Sequence, residues 1–337
     1  MPVLSGIRAQ LTGSDLQLTG SDTDLTIEVS VKVNGESDGV VVLPGRLAGE
    51  IVRALPAGAV MVDIDEEEAR ITSGRAEFTI RILPAEEYPR LPEPAGEPLT
   101  IPAGHLAAAL KQVVPAASSD DARPILTGVL LASEEGGLRL VATDSYRLAV
   151  RDLPGAAVLA EGQQVLVPSR ALSELARVPA GAEAVELRLG DRDASFQVGT
   201  IRLTTRLIEG EFPNYRGLIP PSYPNRLTVG REALLEAVRR VKLMAREATP
   251  VRMVMRTDGL ELVAITQDVG QAHEELDAKY EGNELTVAFN PEYLLDGVDV
   301  TPGDEVVVST LDALKPAVIR STDGGEFLYL LMPVRVS

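Results

Sequence analysis

The sequence predicts an α+β fold written three times along one chain. Two observations carry that expectation. Short alternating runs such as Leu138-Arg-Leu-Val-Ala and Arg202-Leu-Thr-Thr-Arg-Leu207 read as half-buried strands, while apolar residues three or four apart mark helices. The second observation is an internal repeat. Leu16-x-Leu18-Thr-Gly-Ser-Asp22 returns as Leu138-x-Leu140-Val-Ala-Thr-Asp144 and again as Leu260-x-Leu262-Val-Ala-Ile-Thr266, each 122 residues after the last. Solenoid repeats run to roughly 20–50 residues, so a period this long is a whole domain.

The elements of a unit follow in order. Pro2-Val-Leu-Ser-Gly-Ile aligns with Pro124-Ile-Leu-Thr-Gly-Val, and more loosely with Pro250-Val-Arg-Met-Val-Met. Gly136-Gly137 and Asp258-Gly259 sit between strand patterns as hairpin turns. Val42-Leu43-Pro44-Gly-Arg46-Leu47 recurs as Val167-Pro168-Ser-Arg170-Ala171-Leu172 and as Phe289-Asn290-Pro291-Glu-Tyr293-Leu294. Pro44 and Pro168 are expected in the first turn of helices whose apolar stripes are Leu47, Ile51, Leu55 and Leu172, Leu175, Val178. Longer helices are expected over 103–114 and 230–247, and Glu87-Tyr88-Pro89 against Glu211-Phe212-Pro213 closes the register. A unit thus reads strand, helix, several strands, then the same again, with domains at 1–97, 98–222 and 223–337. The strand and helix that begin near Leu99 and precede Pro124 have no counterpart before Pro2, so the first unit is expected to lack both.

Composition narrows the function. With 337 residues and no cysteine, the chain has no disulfide, thiolate metal site or thiol nucleophile, and two histidines exclude a multi-histidine centre. No apolar run reaches the roughly 18–20 residues of a membrane span, and no signal peptide opens the chain, so a cytoplasmic protein with no membrane contact is expected. The net charge of −18 argues against tight nucleic-acid binding. Yet segments 43–57, 101–118, 168–178 and 229–247 are each net basic, and only 289–298 is acidic. In 230–247, Leu234, Val238, Val241 and Ala245 form the apolar stripe, with Arg239, Lys242 and Arg246 on an adjoining face. A solvated face and a phosphate-facing helix both fit that pattern.

Several stretches are specific enough to carry a resemblance. Arg123-Pro124-Ile-Leu126-Thr-Gly-Val-Leu-Leu, Thr143-Asp144-Ser-Tyr146-Arg147-Leu148-Ala149, Phe212-Pro213-Asn-Tyr215-Arg, Phe289-Asn290-Pro-Glu-Tyr293-Leu and Tyr329-Leu-Leu-Met332-Pro333-Val-Arg335 resemble, in colinear order, the bacterial DNA polymerase III β-subunit family of sliding clamps. The resemblance implies three clamp-type domains per chain and a head-to-tail homodimeric ring around double-stranded DNA, with helices facing the pore and sheets on the outer rim. It implies DNA-facing residues Arg46, Arg53, Lys111, Arg123, Arg170, Arg177, Arg239, Lys242 and Arg246, and a ring joint of Phe78 and Ile80 against Leu243 and Met244.

It also implies a cleft for short linear peptides of a polymerase catalytic subunit, a clamp loader and repair proteins. Matching positions are Leu126, Thr143, Ser145, Tyr146, Arg147, Leu148, Pro213, Leu218, Asn290, Tyr293, Leu314, Pro316, Leu330, Leu331, Met332, Pro333, Val334 and Arg335. Leu, Pro and Met suit an adaptable apolar groove, and Tyr146, Arg147 and Asn290 can supply orienting polar contacts. Without the resemblance, Leu126 and Leu148 read as strand core. Ser145 and Tyr146 stand where many clamps have Gly and His.

Other signals point away from chemistry. Asp63-x-Asp65-Glu-Glu-Glu68 reads as a polar hairpin tip, like Gly190-Asp-Arg-Asp193, and His273-Glu274-Glu275 lacks the second histidine of a zinc motif. His105 reads as a solvated helix residue. No catalytic residue, metal or cofactor is expected. The function implied is a processivity factor; the alternative is a clamp paralogue that binds partner peptides without closing on DNA.

Overall fold

The computed structural model describes residues 2–89, 94–178, 181–245 and 249–335. Twenty-four strands and five α-helices alternate as the repeat requires: α1 (Gly45–Ala54), α2 (Ala103–Val113), α3 (Ser169–Ala176), α4 (Arg231–Val241) and α5 (Pro291–Val300). The chain divides into two compact units, Met1–Ala103 with Arg177–Leu207, and Gly104–Ala176 with Ile208–Ser337.

Each unit is organised around one large antiparallel sheet that joins strands from two repeats. In the first unit, eight strands run in the order Gly39–Pro44, Gly6–Thr12, Asp15–Ser21, Leu25–Lys32, Ile201–Arg206, Asp193–Val198, Ala184–Leu189, Leu99–Pro102. The join is Leu25–Lys32 against Ile201–Arg206, with Ile27 opposite Leu203 and the Arg202 Nε 2.6 Å from Glu28 Oε2. In the second unit, nine strands run Gln164–Pro168, Gly128–Glu134, Gly137–Thr143, Arg147–Leu153, Phe327–Leu331, Ala317–Ser321, Glu305–Thr310, Asn225–Gly230, Ala278–Glu281. Its join is Arg147–Leu153 against Phe327–Leu331, with Leu148 opposite Leu330.

Smaller sheets complete the repeats. Met61–Ile64, Glu68–Ser73 and Ala76–Arg81 form three strands in the first unit, and Gly270–Leu276, Gly259–Thr266, Val251–Arg256 and Leu285–Phe289 form four in the second. Under the three-stranded sheet, Ala48 and Ile51 of α1 pack on Ala69, Ile71 and Ile80. The acidic hairpin tip is as expected: Asp65 Oδ1 accepts the backbone N–H groups of Glu67 and Glu68 at 3.0 and 2.9 Å, which hold its carboxyl below the usual range.

The structure corrects the sequence reading at several points. Pro44 and Pro168 end strands, and their helices start one residue later; only Pro291 occupies a first helical turn. On α1 the buried residues are Ala48 and Ile51, while Leu47 is exposed, because the helix touches one sheet along a narrow stripe. The helix expected over 230–247 stops at Val241, where a 3₁₀ turn (Lys242–Met244) tightens the chain and Ala245 N–H bonds Lys242 O at 2.8 Å. Leu126 is buried in a 3₁₀ turn (Pro124–Thr127), not in a strand.

Candidate functional site

In the second unit, three strand ends meet at one edge of the nine-stranded sheet. They are the start of Arg147–Leu153, the end of Phe327–Leu331 and the start of Ala317–Ser321. Antiparallel pairing puts Arg147 opposite Leu331, which lies opposite Ala317. Leu148 and Leu330 share an apolar cluster with Leu130, Val318, Phe212 and Tyr215. Leu331, next along its strand, is wholly buried on the other face, as strand alternation requires. Above this base stand the exposed side chains of Tyr146, Leu218, Leu314 and Met332, with Pro213 also exposed and Pro316, Pro333 and Val334 half-buried.

The turn before the first strand is tightly fixed. Asp144 Oδ1 accepts the N–H groups of Tyr146 and Arg147 at 2.9 and 3.0 Å, and Thr143 Oγ1–H donates to Arg147 O at 2.6 Å. Ser145 takes a left-handed φ of 81°, a conformation that glycine adopts at lower cost. Met332 N–H then bonds Tyr146 O at 2.8 Å and Val334 N–H bonds Ala288 O at 2.7 Å, which tie down the terminal segment through Arg335. Arg123 reaches Ser145 Oγ at 3.3 Å and pairs with Asp120 at 2.9 Å.

The polar groups expected to orient a guest are already engaged. The Asn290 carboxamide oxygen caps α5, accepting from Glu292 N–H at 2.9 Å and Tyr293 N–H at 3.4 Å. Arg147 pairs with Asp144 at 3.0 Å and with Asp296, and its guanidinium lies 4.2 Å from the centroid of the Tyr293 ring. Burial works against the Arg147 charge, but Tyr329, Asp296 and Asp144 outweigh it and hold the pKa above the ordinary value. Tyr329, nearly buried, donates to Tyr293 O at 2.9 Å, and burial pushes its own phenol up. Tyr146 stacks on Tyr293 with centroids 6.5 Å apart.

The basic residues fall on the helices or their ends. Arg46, Arg53, Lys111, Arg123, Arg170, Arg177 and Arg239 are exposed, whereas Arg246 lies outside the described residues. In the second unit the acidic α5 packs on α4: Lys242 pairs with Glu292, and Arg239 lies 3.8 Å from Asp299. The basic bias of α4 is therefore weaker than its own sequence suggests. Of the residues expected at a ring joint, Phe78 is exposed on its strand and Leu243 is 77% exposed, Met244 is half-buried, and Ile80 is buried beneath α1. His105 is exposed on α2, and His273 Nδ1 lies 2.9 Å from Glu261. No helix among the described residues is long and apolar enough to cross a membrane.

Comparison with known proteins decides the family. Models of the DNA polymerase III beta subunit match residues 1–92 (N-terminal domain), 100–214 (central domain) and 216–335 (C-terminal domain). The chain belongs to the bacterial DNA polymerase III beta-subunit family, the beta sliding clamps. The beta sliding clamp of Streptomyces coelicolor is 35% identical over 100% of this chain and 93% of its own length. The solved clamp of Bacillus subtilis is 31% identical with a TM-score of 0.90, covering 100% of this chain and 93% of that one. A Bartonella birtlesii sliding clamp, solved bound to griselimycin, is 32% identical with a TM-score of 0.91, covering 100% and 92%. The family is one of non-catalytic processivity subunits.

Within this member of the sliding-clamp family, some residues of the apolar cluster were not legible from sequence. Ile125, Ile208, Ile219 and Tyr223 pack against it from loops, where period gives no signal, although Ile208 and Ile219 flank the Phe212-Pro213 motif. Gly297 is another. It lets the Tyr329 ring lie against α5, where an added Cβ would come within 2.4 Å of the ring.

Proposed function

We infer that this chain is a cytoplasmic DNA polymerase processivity factor, a homodimeric ring that encircles duplex DNA and tethers partners through the cleft at Tyr146 and Met332. Its domains are 1–97, 98–222 and 223–337. The observation that carries the ring is a repeated strand junction. The third strand of one repeat's first sheet pairs with the last strand of the next repeat, first as Leu25–Lys32 with Ile201–Arg206, then as Arg147–Leu153 with Phe327–Leu331. By that rule two strands await partners: Gly270–Leu276 and Ala76–Arg81, each paired on one side among the described residues. A second copy satisfies both, head to tail, because each copy offers one edge and needs the other. Phe78 lies on one of these strands, and Leu243 and Met244 lie beside the other, where Thr266 Oγ1–H bonds Met244 O at 2.5 Å.

Six repeats in a closed ring place helices toward the pore and sheets on the rim. Arg46, Arg53, Lys111, Arg123, Arg170, Arg177, Arg239, Lys242 and Arg246 then meet phosphates without reading bases. Their number is small against a net charge of −18, so the grip is loose and screened by salt, and the ring is retained by topology. Tyr146, Pro213, Leu218, Leu314, Pro316 and Met332 through Arg335, over Leu126, Thr143, Ser145, Leu148 and Leu330, form the groove for short apolar peptides of the polymerase, clamp loader and repair proteins. Met332→Ala with Pro333→Ala is expected to weaken binding of such a peptide by about tenfold while the dimer mass stays unchanged. Unaltered affinity in that double variant contradicts the cleft.

A further inference from the structure

The cleft's tyrosine pair rests on a cation whose charge is spent elsewhere. Arg147 lies under Tyr293, and Tyr293 stacks on the exposed Tyr146. Its guanidinium meets two carboxylates: Asp144, from the preceding turn, and Asp296, from α5. The nearest other cation, Arg123, is held by Asp120. Two arginines against three carboxylates leave the base of the tyrosine pair one negative charge in excess. Asp144 is buried and fixed by two backbone N–H groups, so it is part of the turn itself. Asp296 is different. It is 43% exposed in its side chain and its partner is Arg147 alone among the described hydrogen bonds.

We propose that Asp296 sets the charge preference of this cleft: by holding Arg147 it withdraws the cation beneath the tyrosines, so a docking peptide presents an aromatic or basic side chain to Tyr146 in preference to a carboxylate. Asp296 is a positioning residue that acts through Arg147, and the assignment rests on the cleft reading above. An aromatic guest gains stacking on a ring that is 60% exposed, and a basic guest gains the unbalanced charge.

The test uses the full-length protein and fluorescein-labelled leucine-rich hexapeptides in which Phe, Lys or Asp is placed at each position in turn. Fluorescence anisotropy is expected to find one position where Phe and Lys bind about fivefold more tightly than Asp, the scale of one partly exposed charge. Asp296→Asn is expected to bring that ratio close to one without loss of the Phe peptide's affinity, and Asp296→Glu to restore it. The same ratio in Asp296→Asn overturns the proposal, as does a wild-type protein with no preference at any position. If the wild-type protein binds none of the peptides, or binds them equally after Met332→Ala with Pro333→Ala, the cleft itself is wrong and the proposal falls with it. Thermal unfolding of Asp296→Asn close to that of wild type is expected; should it unfold early, the Asp296→Glu ratio alone decides, a wild-type value supporting the proposal and a ratio near one refuting it.

Discussion

A Cβ on Gly297 would sit 2.4 Å from two ring carbons of Tyr329, and that ring is buried between α5 and the sheet. The contact explains a glycine in mid-helix, where it ordinarily costs stability. Gly297→Ala is expected to destabilise the protein by about 1–3 kcal/mol through overpacking, measured by urea denaturation. Because Tyr329 holds both Tyr293 and Arg147, peptide affinity is expected to fall with it. A second residue-scale prediction concerns Glu134, which meets Arg216 at 2.5 Å and Arg139 at 3.2 Å. The Arg216 hydrogen bond holds its pKa below the ordinary 4.5. A depressed carboxylate stabilises the fold above its unfolded pKa, and that contribution is lost as pH falls through the lower folded value. Glu134→Gln is therefore expected to flatten the loss of thermal stability below about pH 4.5, as followed by circular dichroism. The sequence flagged Arg147 and Asn290 as site residues correctly by neighbourhood. Their actual duties, a buried ion pair and a helix cap, depend on Asp296, 149 residues away, and on local backbone geometry.

At the scale of elements, periodicity located the strands and helices well because each is a local pattern. Hairpins such as Gly128–Glu134 with Gly137–Thr143 need only a turn signal between two runs. The inter-repeat joins had no such signal. Arg202 finds Glu28 across 174 residues, and nothing near either predicts the pairing. The same applies to helix ends: apolar spacing continued past Val241, but a 3₁₀ turn won. Since both large sheets draw strands from two repeats, the segment 98–222 expressed alone is expected to lose cooperative unfolding, with a broad calorimetric transition. A sharp transition would mean that the joins contribute little to its stability.

For the molecule as a whole, charge and topology have to agree. An acidic chain with a few exposed basic helix residues is a poor adhesive for DNA but an adequate sleeve. The fold class and family were legible in the sequence because five motifs and a 122-residue period reinforce one another. The junction rule was legible only in three dimensions, and it makes closure a matter of two strand edges. Phe78→Asp with Leu243→Asp is expected to shift the sedimenting species from dimer to protomer, as an unpaired charge enters each edge. The most direct measurement is retention of the protein on a nicked circular plasmid during gel filtration at moderate salt, before and after the plasmid is linearised. Encirclement predicts co-elution with the circle and release from the linear DNA; equal retention on both, or none on the circle, would contradict it.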